Sequence, residues 1–225
     1  MLSSRAQQYL NAQRRLAEWN PSPADVIAYC RRQQPALNEE LIRVQLDYAG
    51  YQLTIRRKFG NTFLLSFISK QEVVKNLPLD FIETEEGYLL DFGQHATAQF
   101  NFFITNLGEL CTLDNTDEDK HNIICSSVEK FIEQYALQNE LATAFEDPYY
   151  YTVKNADHLD KLLYQEFVRL PECSDDYSHW CSDGLLTIVK GTWIDKPTFY
   201  LHVYSVSKEA CTHFVERLKA EMLIG

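Results

Sequence analysis

Up to residue 50 the apolar positions of the chain recur every three to four residues, and from residue 51 they alternate. The first spacing is that of a helix face, the second that of a strand buried on one side. Ala6, Tyr9, Leu10, Leu16 and Ala17 mark a first helix, with Gln13 as a polar interruption in the stripe. Ser22, Pro23 and Asp25 open a second: a hydroxyl caps free amides, a proline suits the first turn, and a carboxylate meets the positive end of the dipole. Val26, Ile27 and Cys30 supply its stripe and Pro35 closes it. Asn38 caps a third helix through Leu41, Ile42 and Leu46, ending near Gly50.

Tyr51, Leu53 and Ile55 then alternate with polar positions, and 63–68, 87–92, 98–105 and 109–113 are further short runs. Gly60-Asn61, Glu85-Glu86-Gly87 and Asn106-Leu107-Gly108 separate them. Turns this short predict an antiparallel meander and disfavour a parallel, doubly wound sheet, which needs helix-length crossovers. Ser126-Ser127-Val128-Glu129 has the form of a capping box, and Val128, Phe131, Ile132, Tyr135 and Ala136 continue at the spacing of a helix packed on a sheet. The last third repeats the idea: a helix over 157–169, an acidic loop over 171–183, strands at 185–190 and 199–206, and a closing helix with Cys211, Phe214, Val215, Leu218 and Met222 on one face. The expected fold is α+β, a mainly antiparallel sheet of about five to seven strands flanked by helices, with N-terminal helices and a C-terminal ββα extension. It is expected as one compact domain over 1–225, divisible into a 1–148 core and a 149–225 extension.

Composition fits such a core, since 45% of the 225 residues are hydrophobic and 13% aromatic, enough for burial to offset backbone ordering without a metal or disulfide staple. No apolar run approaches the roughly 20 residues that cross a bilayer, and the N-terminus is polar, without the apolar stretch of an export signal. Cys30, Cys111, Cys125, Cys173, Cys181 and Cys211 are scattered and read as reduced thiols. The expected location is the cytoplasm, with no membrane contact. The net charge of −11 is uneven: residues 1–60 hold nine Lys/Arg against five Asp/Glu, a balance of +4, and residues 61–225 hold twelve against twenty-seven, a balance of −15. Such a surface repels phosphate backbones and suits a basic protein partner, although solubility alone would also account for it. Arg56-Arg57-Lys58 reads as a solvated strand edge, not a nucleic-acid contact.

No catalytic signature stands out. Phosphate-binding glycine loops, G-x-S-x-G, H-E-x-x-H and C-x-x-C are all absent, so no catalytic residue, cofactor or metal is assigned. The nearest chemistry is Cys173, His179 and Cys181 in one loop, with Cys211 and His213 downstream; thiolate and imidazole suit zinc, but the spacing is irregular. A zinc- or cysteine-dependent hydrolase using Cys173, His179 and Cys181 is one alternative, and a regulatory scaffold module is another.

Three phrases carry a resemblance: Glu86-Gly87-Tyr88-Leu89-Leu90-Asp91-Phe92, Asn106-Leu107-Gly108-Glu109-Leu110-Cys111-Thr112-Leu113-Asp114, and Ile123-Ile124-Cys125-Ser126-Ser127-Val128-Glu129-Lys130-Phe131-Ile132. Over 76–141 the chain resembles the SUKH superfamily, an α+β group with many bacterial immunity proteins against polymorphic toxins. Ser126, Ser127 and Phe131 sit where the family has its Ser-Ser-x-x-x-Phe helix, while Tyr48-Ala49-Gly50-Tyr51 has one glycine where the family often has two. The resemblance implies an immunity protein, monomeric or weakly dimeric, that neutralises a cognate toxin by occlusion. The charge balance fits a basic toxin, as one that attacks nucleic acid through a basic groove would be. Contacts are expected from the acidic turns Glu83, Glu85 and Glu86; Asp114, Asp117, Glu118 and Asp119; and Glu172, Asp175, Asp176 and Asp183. Tyr177 and Trp180 are expected as aromatic anchors, as are Tyr149, Tyr150 and Tyr151 unless these begin a buried strand.

Overall fold

A computed structural model of the chain describes residues 1–19, 21–33, 38–56, 61–96, 101–113, 120–194 and 198–225. Among them the α+β class is realised as seven helices and two antiparallel sheets, of eight and six strands, where one sheet of about five to seven had been expected. The helices are α1 (Ser4–Ala12), α2 (Pro23–Gln33), α3 (Glu39–Tyr48), α4 (Lys70–Lys75), α5 (Val128–Glu140), α6 (Ala156–Glu166) and α7 (Lys208–Ala220). The first sheet runs β1 (Arg14–Arg15), β2 (Tyr51–Ile55), β3 (Asn61–Leu65), β5 (Gly87–His95), β6 (Asn101–Thr105), β7 (Leu110–Leu113) and β8 (His121–Cys125), with β4 (Ile82–Thr84) also on β5. The second runs β10 (Tyr151–Thr152), β14 (Phe199–Ser205), β13 (Leu186–Thr192), β12 (Ser178–Ser182) and β11 (Val168–Arg169), with β9 (Phe145–Glu146) also on β14. The C-terminal part is therefore a full sheet with two helices, and the expected acidic loop contains a strand, β12.

Local chemistry sets the element ends. Asn38 caps α3 by accepting from the Leu41 amide at 2.8 Å, as its position suggested. The cap of α5 is Ser127, which accepts from the Lys130 amide at 3.2 Å, so the capping role falls one residue later than the Ser126…Glu129 spacing implied. A full capping box is formed by Ser69 and Glu72 at α4, a helix too short to carry a readable apolar stripe. The first helix stops at Ala12 instead of running to Ala17, because Gln13 turns extended and its side-chain oxygen accepts the Thr54 amide at 2.9 Å. Tyr9 donates to the Thr54 carbonyl at 3.3 Å and the Arg56 amide to Asn139 at 3.2 Å. Side chains thus close the outer edge of β2 beyond its short pairing with β1. Pro35, Arg57 and Lys58 lie outside the described residues.

The inner face of the first sheet packs on α1, α2, α3 and α5 through Tyr29, Leu41, Leu53, Phe63, Phe92, Ile104 and their neighbours. Phe63 is central, with ring centroids 4.9 Å from Phe102 and 4.7 Å from Phe131. Gly93 follows a bulge in β5 and lies against the Phe63 ring, where a Cβ would collide with it. The second sheet buries one face under α6 and α7 through Leu159, Leu163, Ile188, Val203, Phe214 and Leu218. Its other face carries Trp180, Val189 and Tyr204, which pack on Leu137 of α5. No helix of the described residues is long and apolar enough to cross a membrane.

The cap assignment has a direct check by thermal or urea unfolding. Ser127→Ala is expected to cost about 1 kcal/mol and Ser126→Ala less than about 0.5 kcal/mol.

Candidate functional site

The carboxylates singled out by charge fall into separate places. Glu85 and Glu86 form the turn between β4 and β5, and Glu83 precedes them on β4; all three are exposed. Glu83 and Glu85 have no ion-pair partner among the described residues. Glu86, 78% exposed, lies 3.5 Å from the buried His121 ring at the start of β8. The hairpin tip therefore stands beside the strand that begins after residues 114–119. Asp114, Asp117, Glu118 and Asp119 themselves lie outside the described residues.

The 171–183 stretch behaves differently, because the fold uses most of its polar atoms. Glu172 accepts from Arg5 at 2.9 Å, tying the stretch to α1. Asp175 is 8% exposed; one oxygen accepts the Ser126 amide at 2.8 Å and the other the Tyr177 and Ser178 amides at 3.0 and 2.8 Å. A buried carboxylate with several donors is a structural joint. Asp183 accepts the Leu185 and Leu186 amides at 2.8 and 2.7 Å and shapes the β12–β13 turn. Trp180 is 1% exposed and stacks on Tyr204, so it anchors a core and not an outside partner, a correction to the sequence reading shared by Asp175. Tyr177 donates to Glu109 at 3.3 Å and burial pushes its phenol up to about 12. Asp176 stays exposed with no ion pair among the described residues.

Of the three successive tyrosines, Tyr149 and Tyr150 are exposed and Tyr151 is buried. Tyr150 stacks on the His202 ring at 4.1 Å, and the two ring nitrogens of His202 lie 3.0 Å from the Tyr149 carbonyl and 3.2 Å from Glu146. His202 thus pins the segment between β9 and β10 to the second sheet. Nothing in the spacing around residue 202 marked it, because the partners are far away in the chain.

All six cysteines are free and buried. Cys173, in the turn before β12, belongs to the cluster on the α5 side of the second sheet and Cys181, on β12, to the cluster under α6 and α7, so the two lie in different cores. Burial pushes the thiols of Cys111, Cys173, Cys181 and Cys211 up to about 12 and that of Cys30 to about 11. A thiol held protonated is a poor nucleophile and a poor metal ligand. Among the described residues no three His, Cys, Asp or Glu side chains gather as a metal site. Cys173 therefore stands apart from His179 and Cys181, and the three do not gather as one site.

Two measurements check these assignments. Asp175→Ala strands three backbone amides and is expected to lose at least about 3 kcal/mol in urea unfolding, while Asp176→Ala changes stability by less than about 0.5 kcal/mol. Unfolded thiols ionise near about 8.5, whereas these folded thiols stay protonated to about 11 or 12, so the unfolded state binds fewer protons in between. Stability is then intact below about pH 8.5 and falls as pH rises above it; a urea midpoint that stays constant through that rise would contradict the burial. Compared with models of known protein families, with curated proteins and with solved structures, the chain matches none.

Proposed function

We propose that the chain is an immunity protein of the SUKH type, which binds a cognate basic, nucleic-acid-attacking toxin and neutralises it by occlusion in the cytoplasm. The observation that carries this reading is the β4–β5 hairpin, on which Glu83, Glu85 and Glu86 are all exposed. Among the described residues its one ionic neighbour is a histidine, the His121 ring beside Glu86. A cluster of exposed carboxylates on a tight turn raises the local negative potential and steers a positively charged surface towards it. Asp176, exposed between β11 and β12, adds to the same sign of field. The partner surface is narrower than the charge pattern suggested, because Glu172, Asp175 and Asp183 are engaged within the fold. Occlusion asks no catalysis of the immunity protein, and the protonated state of its buried thiols is compatible with that role.

The test is rescue of growth. The chain is co-expressed with the C-terminal domain of a secreted effector encoded beside its gene, and growth arrest should be relieved. The triple variant Glu83→Gln, Glu85→Gln, Glu86→Gln should slow association by about tenfold or more at low salt, with a smaller difference at high salt. Arrest that persists despite soluble expression of the chain, or association indifferent to the triple variant, would remove this reading.

A further inference from the structure

His179 and Cys181 lie on β12, and the register of the second sheet decides what surrounds them. Arg169 of β11 stands opposite Cys181, and Lys190 of β13 stands opposite His179. Residues paired across strands, or two apart along one, share a face of the sheet. Arg169, Cys181, His179 and Lys190 are therefore all on the face that α6 covers.

The cover is incomplete. A pocket of about 440 Å³ opens between sheet and helix, lined from α6 and its end by Asp160, Leu163, Tyr164 and Phe167, from β11 by Arg169 and from β12 by residues 179–181. That volume and an apolar wall with a few polar groups are the usual features of a small-molecule site.

Its charges select a ligand. Lys190, 3% exposed, places its ammonium 2.6 Å from both oxygens of Asp160, so these two cancel. His179 lies 3.8 Å from Asp160, and burial, followed by the nearby Lys190, holds its imidazole below the ordinary range. Around neutral pH it is an uncharged hydrogen-bonding group. Arg169 is exposed and has no ion pair among the described residues. Among the residues lining the pocket, Arg169 is thus the one cation without an ion pair, beside apolar walls and in a chain of net charge −11. Tyr164, 85% exposed on α6, leaves an aromatic ring in water at its rim.

We propose that this pocket binds a small apolar carboxylic acid, with its carboxylate on Arg169 beside His179 and its hydrocarbon body against Leu163, Phe167 and Tyr164. A guanidinium meets a carboxylate through two parallel N–H donors, which fixes orientation as well as charge. The Cys181 thiol stays protonated and acts as wall. This assignment uses the second sheet and not the β4–β5 hairpin, so it stands apart from toxin binding.

The test uses the full chain and hydrocinnamate, with its alcohol and amine counterparts, followed by calorimetry and amide chemical shifts. Saturable binding of hydrocinnamate, at least about tenfold tighter than either counterpart and weakened by about tenfold in Arg169→Ala, is expected. The amides of Leu163, Phe167 and His179 should shift on titration. No saturable binding, equal binding of the amine or alcohol, or an Arg169→Ala variant that binds as well would overturn the proposal. Tighter binding of the tripeptide Gly-Gly-Phe would overturn it too, by assigning the pocket to a peptide C-terminus.

Discussion

The structure depends on one helix being buried on both sides. Val128, Phe131, Ile132, Tyr135 and Ala136 of α5 pack on the first sheet, while Leu137 packs on Trp180, Val189 and Tyr204 of the second. Most helices of a small α+β protein expose one flank to water and can carry any polar sequence there. In α5 that flank is covered, so its polar residues must find partners inside the protein. Glu133 accepts from the Ser3 hydroxyl at 2.7 Å, and Gln134 donates to the Cys173 carbonyl at 3.1 Å. Each bond ties α5 to a segment distant in sequence, one near the N-terminus and one in the stretch leading into β12.

That arrangement explains the fate of the acidic stretch before β12. A segment laid over the flank of a central helix brings its backbone amides into a place short of water, and short acidic side chains are efficient acceptors for them. Asp175 serves the Ser126 amide just before α5 and two amides of its own turn, while Glu172 meets Arg5. Lys130 on the first turn of α5 donates to the Pro171 and Glu172 carbonyls. Carboxylates here hold two sheets together. Those of the β4–β5 hairpin sit on a turn that nothing among the described residues covers, and their charge is left to act outward. The same residue type, at similar density in the chain, thus has two physical roles set by what lies above it.

The second sheet shows the same division on a smaller scale. Its α5 side is filled by aromatic rings, with Trp180, Tyr204, His202 and Tyr150 in contact one after another. Its α6 side is apolar through Leu159, Leu163, Ile188 and Val203 and polar around Arg169, His179 and the Lys190–Asp160 pair. Charged groups survive there because the buried ammonium has its carboxylate and the guanidinium reaches water.

What the chain by itself determined is its local order: the class, the caps at Asn38 and Ser22, the hairpin turn at Glu85-Glu86-Gly87, and the α5 stripe at 128, 131, 132, 135 and 136. These follow from periodicity, turn residues and side chains that bond to amides three residues on, all of which are interactions within a few residues. The second face of α5, the burial of Trp180 and Asp175, the separation of Cys173 from Cys181, and the meeting of Arg169 with His179 were decided by tertiary structure alone. Each depends on which strand lies beside which, and on a helix serving two cores at once. Sequence spacing carries no record of such pairings, because a polar residue reads as exposed until something distant folds over it and supplies its hydrogen bonds.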